Sequence, residues 1–295
     1  MKEFNIPLVS VPVVTYNSSK TVIETLDSIY NQTYPNIELI VSDDCSTDNT
    51  VEICRQWIEQ HKERFVRVEL LTAEKNTGVA GNGNRAEAAC RGEWCKGIAG
   101  DDILMPNCID DCVDYVSNHP DTIYLFGRCR AFGASNERCR EIDNLFDYSF
   151  FEKSQEVQLK RLIEGNCLPA TAVFYHTERA KAIGVTNDER IPMIEDWPKW
   201  INLIKAGVRF DFIDKVIVLY RISETSLSTG HAKSRAFNES MAIFYKLYIF
   251  QYEYEHGSKK QALENWLRSE HTITQSKFWY FLFKLYKIFI MHKMH

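Results

Sequence analysis

Residues 8–14 form a run of seven with one polar side chain, Ser10. A run so short and so apolar fits a strand covered on both faces, the usual condition inside a parallel sheet. The theme then repeats. Ser18 and Ser19 offer an N-cap, and Val22, Ile23, Leu26, Ile29 and Tyr30 follow at helical spacing. Residues 31–35 end that helix, residues 37–41 read as a second strand, and Asp48 can cap a helix carrying Val51, Cys54, Trp57 and Ile58. Val66, Val68 and Leu70 alternate with charged neighbours as a strand does. A turn rich in Gly and Asn, residues 76–83, leads into a short helix, and residues 94–99 are a short strand. Pro106 suits the first turn of a helix whose apolar face is Ile109, Cys112, Val113 and Val116, and residues 122–126 close the alternation. Repeated β-α-β units imply an α/β fold with a mostly parallel sheet and right-handed crossovers.

After Gly127 the pattern loosens. Residues 128–149 read as a long loop or ragged hairpin. Helices are expected at 154–164, 178–183 and 196–206, and strands at 170–175, 209–213 and 216–220. The last 60 or so residues read as helices.

Three acidic pairs stand out: Asp43-Asp44, Asp101-Asp102 and Glu195-Asp196. The first two each follow an expected strand. Open α/β sheets bind ligands beyond the carboxyl ends of their strands. With both strands in one parallel sheet, four carboxylates project from one edge. Such a cluster repels and needs a cation or polar donors. A hard divalent ion with oxygen ligands is the usual solution, and it can bridge a diphosphate. Aspartate after a strand is also a common turn former, which is the plain reading of Asp48. Asp101-Asp102 differs because Ile98, Ala99, Ile103 and Leu104 bracket it, placing two charges where water is scarce. Glu195-Asp196 opens a helix bearing Trp197, Trp200, Leu203 and Ile204, where the helix dipole alone favours an acid.

Charge and cysteine content exclude some classes. A net charge of -5 argues against a nucleic-acid binder. The nine cysteines include no C-x-x-C pair and have no zinc-like spacing, so buried thiols in a reducing compartment are expected. No run reaches the roughly 18 apolar residues of a spanning helix, and residues 1–7 hold no signal-like segment. Gly81-Asn-Gly83-Asn-Arg85-Ala86 spells a dinucleotide fingerprint, but it does not directly follow the first strand as that motif requires.

The stretches Val9-Ser-Val-Pro12-Val-Val14-Thr-Tyr16-Asn17, Ser28-Ile-Tyr-Asn-Gln-Thr-Tyr-Pro35 and Ile40-Val-Ser-Asp-Asp-Cys-Ser-Thr-Asp48 together resemble the opening of family 2 glycosyltransferases. The resemblance continues through Asn76-x-Gly78, Arg91-Gly-Glu93, Gly100-Asp-Asp102 and Ile194-Glu-Asp-Trp197, and spans about 220 of 295 residues. It implies the GT-A fold, a Rossmann-like sheet flanked by helices, here with a C-terminal helical extension. It implies a nucleotide-sugar donor, usually a UDP-sugar, and a divalent cofactor, Mn2+ or Mg2+. It also implies nucleotide contacts from Pro12, Val14, Tyr16 (stacked on the base), Asp44 (on the base edge) and Asp101. Asp101 and Asp102 then match the metal-holding motif, and Asp196 the base of an inverting transfer. Glu195, Trp197, Arg85 and Arg221 are candidates for acceptor or phosphate contact. This sequence departs from the family at Ala99, where a further acid usually stands, and at Gly83, near which an arginine is usual; Arg85 lies two places on. Tyr220-Arg221 with Ser226 and Ser228 resembles a later family segment; Arg221 could equally pair with Glu224, and His231 reads as a surface residue.

Two other readings share parts of this pattern: a nucleotidyltransferase, and a non-catalytic sugar-nucleotide module. The expected organisation is a nucleotide-sugar-binding half over 1–126, an acceptor-binding half over 127–225 and a helical region over 226–295. From His271 onward there are four lysines and no carboxylates, leaving 31 basic against 40 acidic residues elsewhere. Residues 276–291 interleave Lys277, Lys284 and Lys287 with aromatics. Such a helix fits a membrane surface at the cytoplasmic face, near a lipid-linked saccharide acceptor, or else packing on the domain or on a second subunit of a homodimer.

Overall fold

The computed structural model describes residues 6–223 and 235–292. Strand β1 (Val9–Thr15) is buried except for a half-buried Val14. It pairs in parallel with β2 (Ile37–Asp43), Val9 opposite Ile37 and Thr15 opposite Asp43, and β2 pairs in parallel with β3 (Arg67–Thr72). Helices α1 (Val22–Tyr30), α2 (Thr50–His61) and α3 (Gly78–Ala89) are the intervening segments. Helix α1 starts later than Ser18 and Ser19 suggest, because the Ser18 carbonyl takes the N–H groups of Thr21 and Val22. Asn49, not Asp48, stands at the N-cap of α2; Asp48 lies one residue earlier and accepts from the Thr50 amide at 3.0 Å. The expected turn at 76–83 is instead mostly helix, since α3 begins at Gly78.

The expected strand at 94–99 is split into β4 (Trp94–Cys95) and β5 (Ile98–Ala99), both parallel to β1. Pro12 supplies the reason. The carbonyls of Ser10 and Val14 accept from Lys96 and Gly100 on this side of β1. By the two-residue repeat of a strand, Pro12 faces the same way. It has no N–H to offer, so the ladder lapses opposite Lys96 and Gly97.

The sheet continues through β6 (Ile103–Leu104), α4 (Cys108–Asn118), β7 (Tyr124–Phe132), α5 (Asn136–Asp143), α6 (Gln155–Glu164), β8 (Val173–His176), α7 (Thr177–Ile183), α8 (Asp196–Lys205) and β9 (Phe210–Arg221). Its order is β3-β2-β1-β4-β8-β7-β9-β6, with β5 on β1. β8 is antiparallel to β4 and β7, and β6 to β9; the other five pairings are parallel. Two segments differ from expectation. Residues 128–149 are no loop: β7 runs on to Phe132, and α5 follows. The two strands expected at 209–220 are one, interrupted where Phe126 pairs with Phe212 and Arg128 with Val216, so that 213–215 bulge.

Apolar clusters cover both faces. Ile37, Leu39, Val41, Leu125 and Phe174 join α1, α2 and α4 on one side. Ile40, Tyr124, Phe126, Val173 and Tyr175 join α6 and α8 on the other. Helix α9 (Arg235–Phe244) and the π-turn after it add Phe237, Phe244, Tyr248 and Ile249 to the second cluster. Helices α10 (Phe250–His256), α11 (Lys259–Thr274) and α12 (Lys277–His292) complete the helical region. No helix among the described residues is long and apolar enough to cross a membrane. All nine cysteines are free, and seven are buried.

Gly78 ties the start of α3 to the segment before α8. Its φ is +80°, and an added Cβ would lie 2.5 Å from the Pro192 carbonyl oxygen. Gly184, at φ +76°, has nothing within 4 Å of an added Cβ. Gly78→Ala should therefore cost about 1–3 kcal/mol, clearly more than Gly184→Ala, as read by urea unfolding of the two variants.

Candidate active site

The carboxyl ends of β1, β2 and β5 meet at one edge, where the Thr15 and Val14 carbonyls accept from the amides of Asp44 and Gly100. Two short loops are pinned together there. The Asn17 side chain accepts from the Thr47 amide at 2.8 Å, and the Asn17 amide donates to Ser46 at 2.8 Å. This leaves Tyr16 at the rim, 49% exposed. Asp43 is buried and structural, accepting from Thr15, from the Ser46 amide and from the Ser46 hydroxyl. Asp44 is also buried, and all its acceptor directions are occupied. Its oxygens take the Thr77 amide (2.9 Å), the Thr77 hydroxyl (2.6 Å), the Gly78 amide (2.8 Å) and Arg85 (3.0 Å). Arg85 also reaches Ser42 and Asn82. Pro12 is buried within β1, and Val14 sits half-buried one residue from the strand end.

The Asp101-Asp102 turn is held from two sides. Along α1 a polar stripe faces it: Thr21 donates to the Gly100 carbonyl (2.8 Å), Thr25 to the Asp102 carbonyl (2.7 Å), and Ser28 accepts from the Leu104 amide (3.1 Å). Gln32 extends the stripe to the Met105 carbonyl and the Ile109 amide. From β9, the Arg221 amide donates to Asp102 Oδ1 (2.9 Å) and its guanidinium to the Asp101 carbonyl (2.7 Å) and to Glu24 (2.7 Å). Arg221 thus fastens the turn, and its described acidic partner is Glu24; Glu224, Ser226, Ser228 and His231 lie outside the described residues. Burial and the neighbouring Asp101 push the Asp102 carboxyl up to about 7. Burial also raises Asp101, against the pull of Arg221. Asp102 Oδ2 is buried with no hydrogen-bond partner.

Among the described residues, no three His, Cys, Asp or Glu side chains are grouped to cage a metal ion. Two adjacent carboxyls, one with an orphaned oxygen, nonetheless fit an ion that takes one or two carboxylates and completes its shell from a substrate diphosphate.

Glu195 and Asp196 open α8, both half-buried. Asp196 accepts from the Asn166 side chain and from the Trp197 amide, each at 2.7 Å. Burial raises both carboxyls, Glu195 to about 8 with Asp196 adding to the effect, while Asn166 favours ionised Asp196. Trp197 is locked, its indole N–H on the Leu162 carbonyl (2.6 Å) and its ring on Phe244. The segment that carries Asn166 also carries Thr171, whose hydroxyl, like Asp102 Oδ2, is buried with no hydrogen-bond partner.

The chain matches Glycosyl transferase family 2 over residues 10–176, more than half its length. It belongs to that family. The putative teichuronic acid biosynthesis glycosyltransferase TuaG of Bacillus subtilis is 23% identical over 228 residues, 77% of this chain and 84% of that protein. Chondroitin synthase of Escherichia coli is 34% identical over 109 residues, 37% of this chain but only 15% of that protein. The crystal structure of S. aureus TarS 1–349 in complex with UDP-GlcNAc superposes with a TM-score of 0.64 at 21% identity, covering 92% of this chain and 74% of the other. The mannosyltransferase PcManGT of Pyrobaculum calidifontis, solved with GDP-Man and Mn2+, gives 0.58 at 18% identity, covering 90% and 70%. These likenesses establish the GT-A fold for this glycosyltransferase.

Sequence reasoning missed the α1 stripe and Asn166. The stripe was visible as Thr21, Thr25, Ser28 and Gln32 at helical spacing on a helix that is otherwise apolar on its buried side. Asn166 gave no local signal. Removing Arg85 takes one charge-assisted bond from buried Asp44, so Arg85→Met should lower unfolding free energy by about 2 kcal/mol, measured by denaturant titration.

Proposed function

We propose that this family 2 enzyme moves a hexosyl or N-acetylhexosaminyl group from a UDP-sugar to an acceptor hydroxyl with inversion, during surface polysaccharide assembly. The observation that carries the reading is Asp196, a carboxylate aimed by Asn166 and by its own helix N-terminus, with its proton affinity raised by burial. A base so tuned suits proton removal from a sugar hydroxyl near neutral pH.

In this reading residues 1–126 bind the donor. Tyr16 stacks on the base, with Pro12 and Val14 shaping the floor beneath it. Asp44, braced by Arg85, offers one oxygen to the base edge in exchange for an internal bond. Asp101 and Asp102 would hold Mn2+ or Mg2+ together with the diphosphate; the ion, when bound, neutralises charge on the leaving group. Arg221 keeps that turn in place. Residues 127–225 present the acceptor, with Glu195 orienting it beside a rigid Trp197. Asp196 takes the hydroxyl proton, the oxygen forms its bond to the anomeric carbon from the open face, and the bond to the diphosphate breaks on the other. UDP leaves, and the anomeric configuration is inverted.

The reading predicts UDP release from a UDP-sugar, dependent on Mn2+ or Mg2+. Asp196→Asn should lose about 10³-fold in kcat. The base must be ionised and its carboxyl is raised, so activity should climb with pH to a limb lying above the ordinary aspartate range. An active Asn variant would sink the base assignment, and pyrophosphate as product would favour a nucleotidyltransferase.

Helix α12 supports a place at a membrane, on its cytoplasmic face, with a lipid-linked saccharide as acceptor. Phe278, Phe281 and Leu285 fall on one exposed side, 60%, 57% and 44% exposed. Trp279 turns instead to Trp266, and Arg268 lies over Phe283. An aromatic face beside lysines suits anionic headgroups better than water. Replacing Phe278 and Phe281 together by serine should reduce co-flotation with phosphatidylglycerol vesicles by about tenfold and leave neutral vesicles unaffected. Wild-type protein that floats with neither would point to a homodimer contact instead.

A further inference from the structure

Lys96 is among the largest side chains wholly shielded from solvent. Lysine is almost never so buried unless paired, yet no carboxylate among the described residues forms an ion pair with it. Its ammonium donates to the Thr171 carbonyl at 2.6 Å and to the Gly97 carbonyl at 3.0 Å. Carbonyls alone hold a full charge in the interior, and desolvating that charge is costly. A methionine of similar shape would avoid the cost.

The surroundings give the charge a purpose. Lys96 sits where β4 gives way to β5 opposite Pro12, so its strand leads within a few residues to Asp101 and Asp102. Thr171 is on the segment that also bears Asn166, the residue that aims Asp196. The Lys96–Thr171 bond is therefore a direct tie between the strand that leads to Asp101 and Asp102 and the segment that holds Asp196 through Asn166. It also lies close enough to favour the ionised form of Asp102.

We propose that Lys96 is a positioning residue for glycosyl transfer, clamping the 166–171 segment to the β4–β5 break so that Asp196 keeps a set distance from the Asp101-Asp102 turn. The proposal rests on the transferase reading above. Misplacing reacting groups by about 1 Å costs on the order of a hundredfold in rate, which is the scale at stake.

The test compares the full chain with Lys96→Met and with Lys96→Gln, which keeps a donor without the charge. Lys96→Met should melt no lower than wild type, because it removes a buried charge. Its amide exchange over 166–172 should quicken by about tenfold, with α1 and β2 unchanged. Its kcat should fall by about 10- to 100-fold while KM for the donor stays within about threefold, and Lys96→Gln should recover part of the loss. Unchanged exchange at 166–172, or a kcat near wild type, would overturn the proposal. Should the Met variant not fold, the Gln variant carries the same two readouts. Wild-type protein without transferase activity would undo the proposed function but leave the exchange comparison intact.

Discussion

Asp101 and Asp102 repel each other at the dry end of a buried strand, and much of the surrounding structure counters that repulsion. Helix α1 contributes hydroxyls to the backbone of the turn, and β9 contributes the Arg221 amide and guanidinium. Of these donors only the Arg221 guanidinium carries a charge, and burial still outweighs its pull on Asp101. The turn is held in shape while its carboxyls stay raised in proton affinity. In the proposed function such a turn would gain from a cation and a diphosphate arriving together.

The first acidic pair follows another logic. Asp43 and Asp44 are saturated by hydrogen bonds, so they fix loops more than they wait for a ligand. Asp44 gathers Thr77, Gly78 and Arg85 and thereby sets the start of α3. Gly78 in turn lies against Pro192, shortly before Glu195 and Asp196. The β1–β2–β5 edge and the segments around Asp196 are thus joined twice, through Gly78 with Pro192 and through Lys96 with Thr171.

Much of the first half was legible because buried parallel strands are apolar runs and their crossover helices carry an apolar face at helical spacing. The acids were legible because they end those runs. Beyond Gly127 legibility failed for local reasons. Arg128 and Arg130 alternate with buried Cys129 and Ala131 on β7, which looks polar from sequence yet pairs with β9. The bulge at 213–215 divided β9 into two apparent strands. The glycines of α3 suggested a turn, whereas they answer to close neighbours: Pro192 at Gly78, Thr77 at Gly81 and Asn187 at Gly83.

Sequence by itself determined the α/β architecture, the acidic strand ends and the resemblance to family 2, since periodicity and strand-end chemistry are local properties. It also determined that Pro12 lacks a donor. Only the tertiary structure decided what that lack does: it breaks the neighbouring strand next to the buried Lys96, whose ammonium donates to Thr171. It alone divided the acids into saturated (Asp43, Asp44), strained by burial (Asp101, Asp102) and aimed (Asp196). A carboxylate's role depends on which donors reach it and how much water remains, and those come from residues 30 to 120 positions away in the chain.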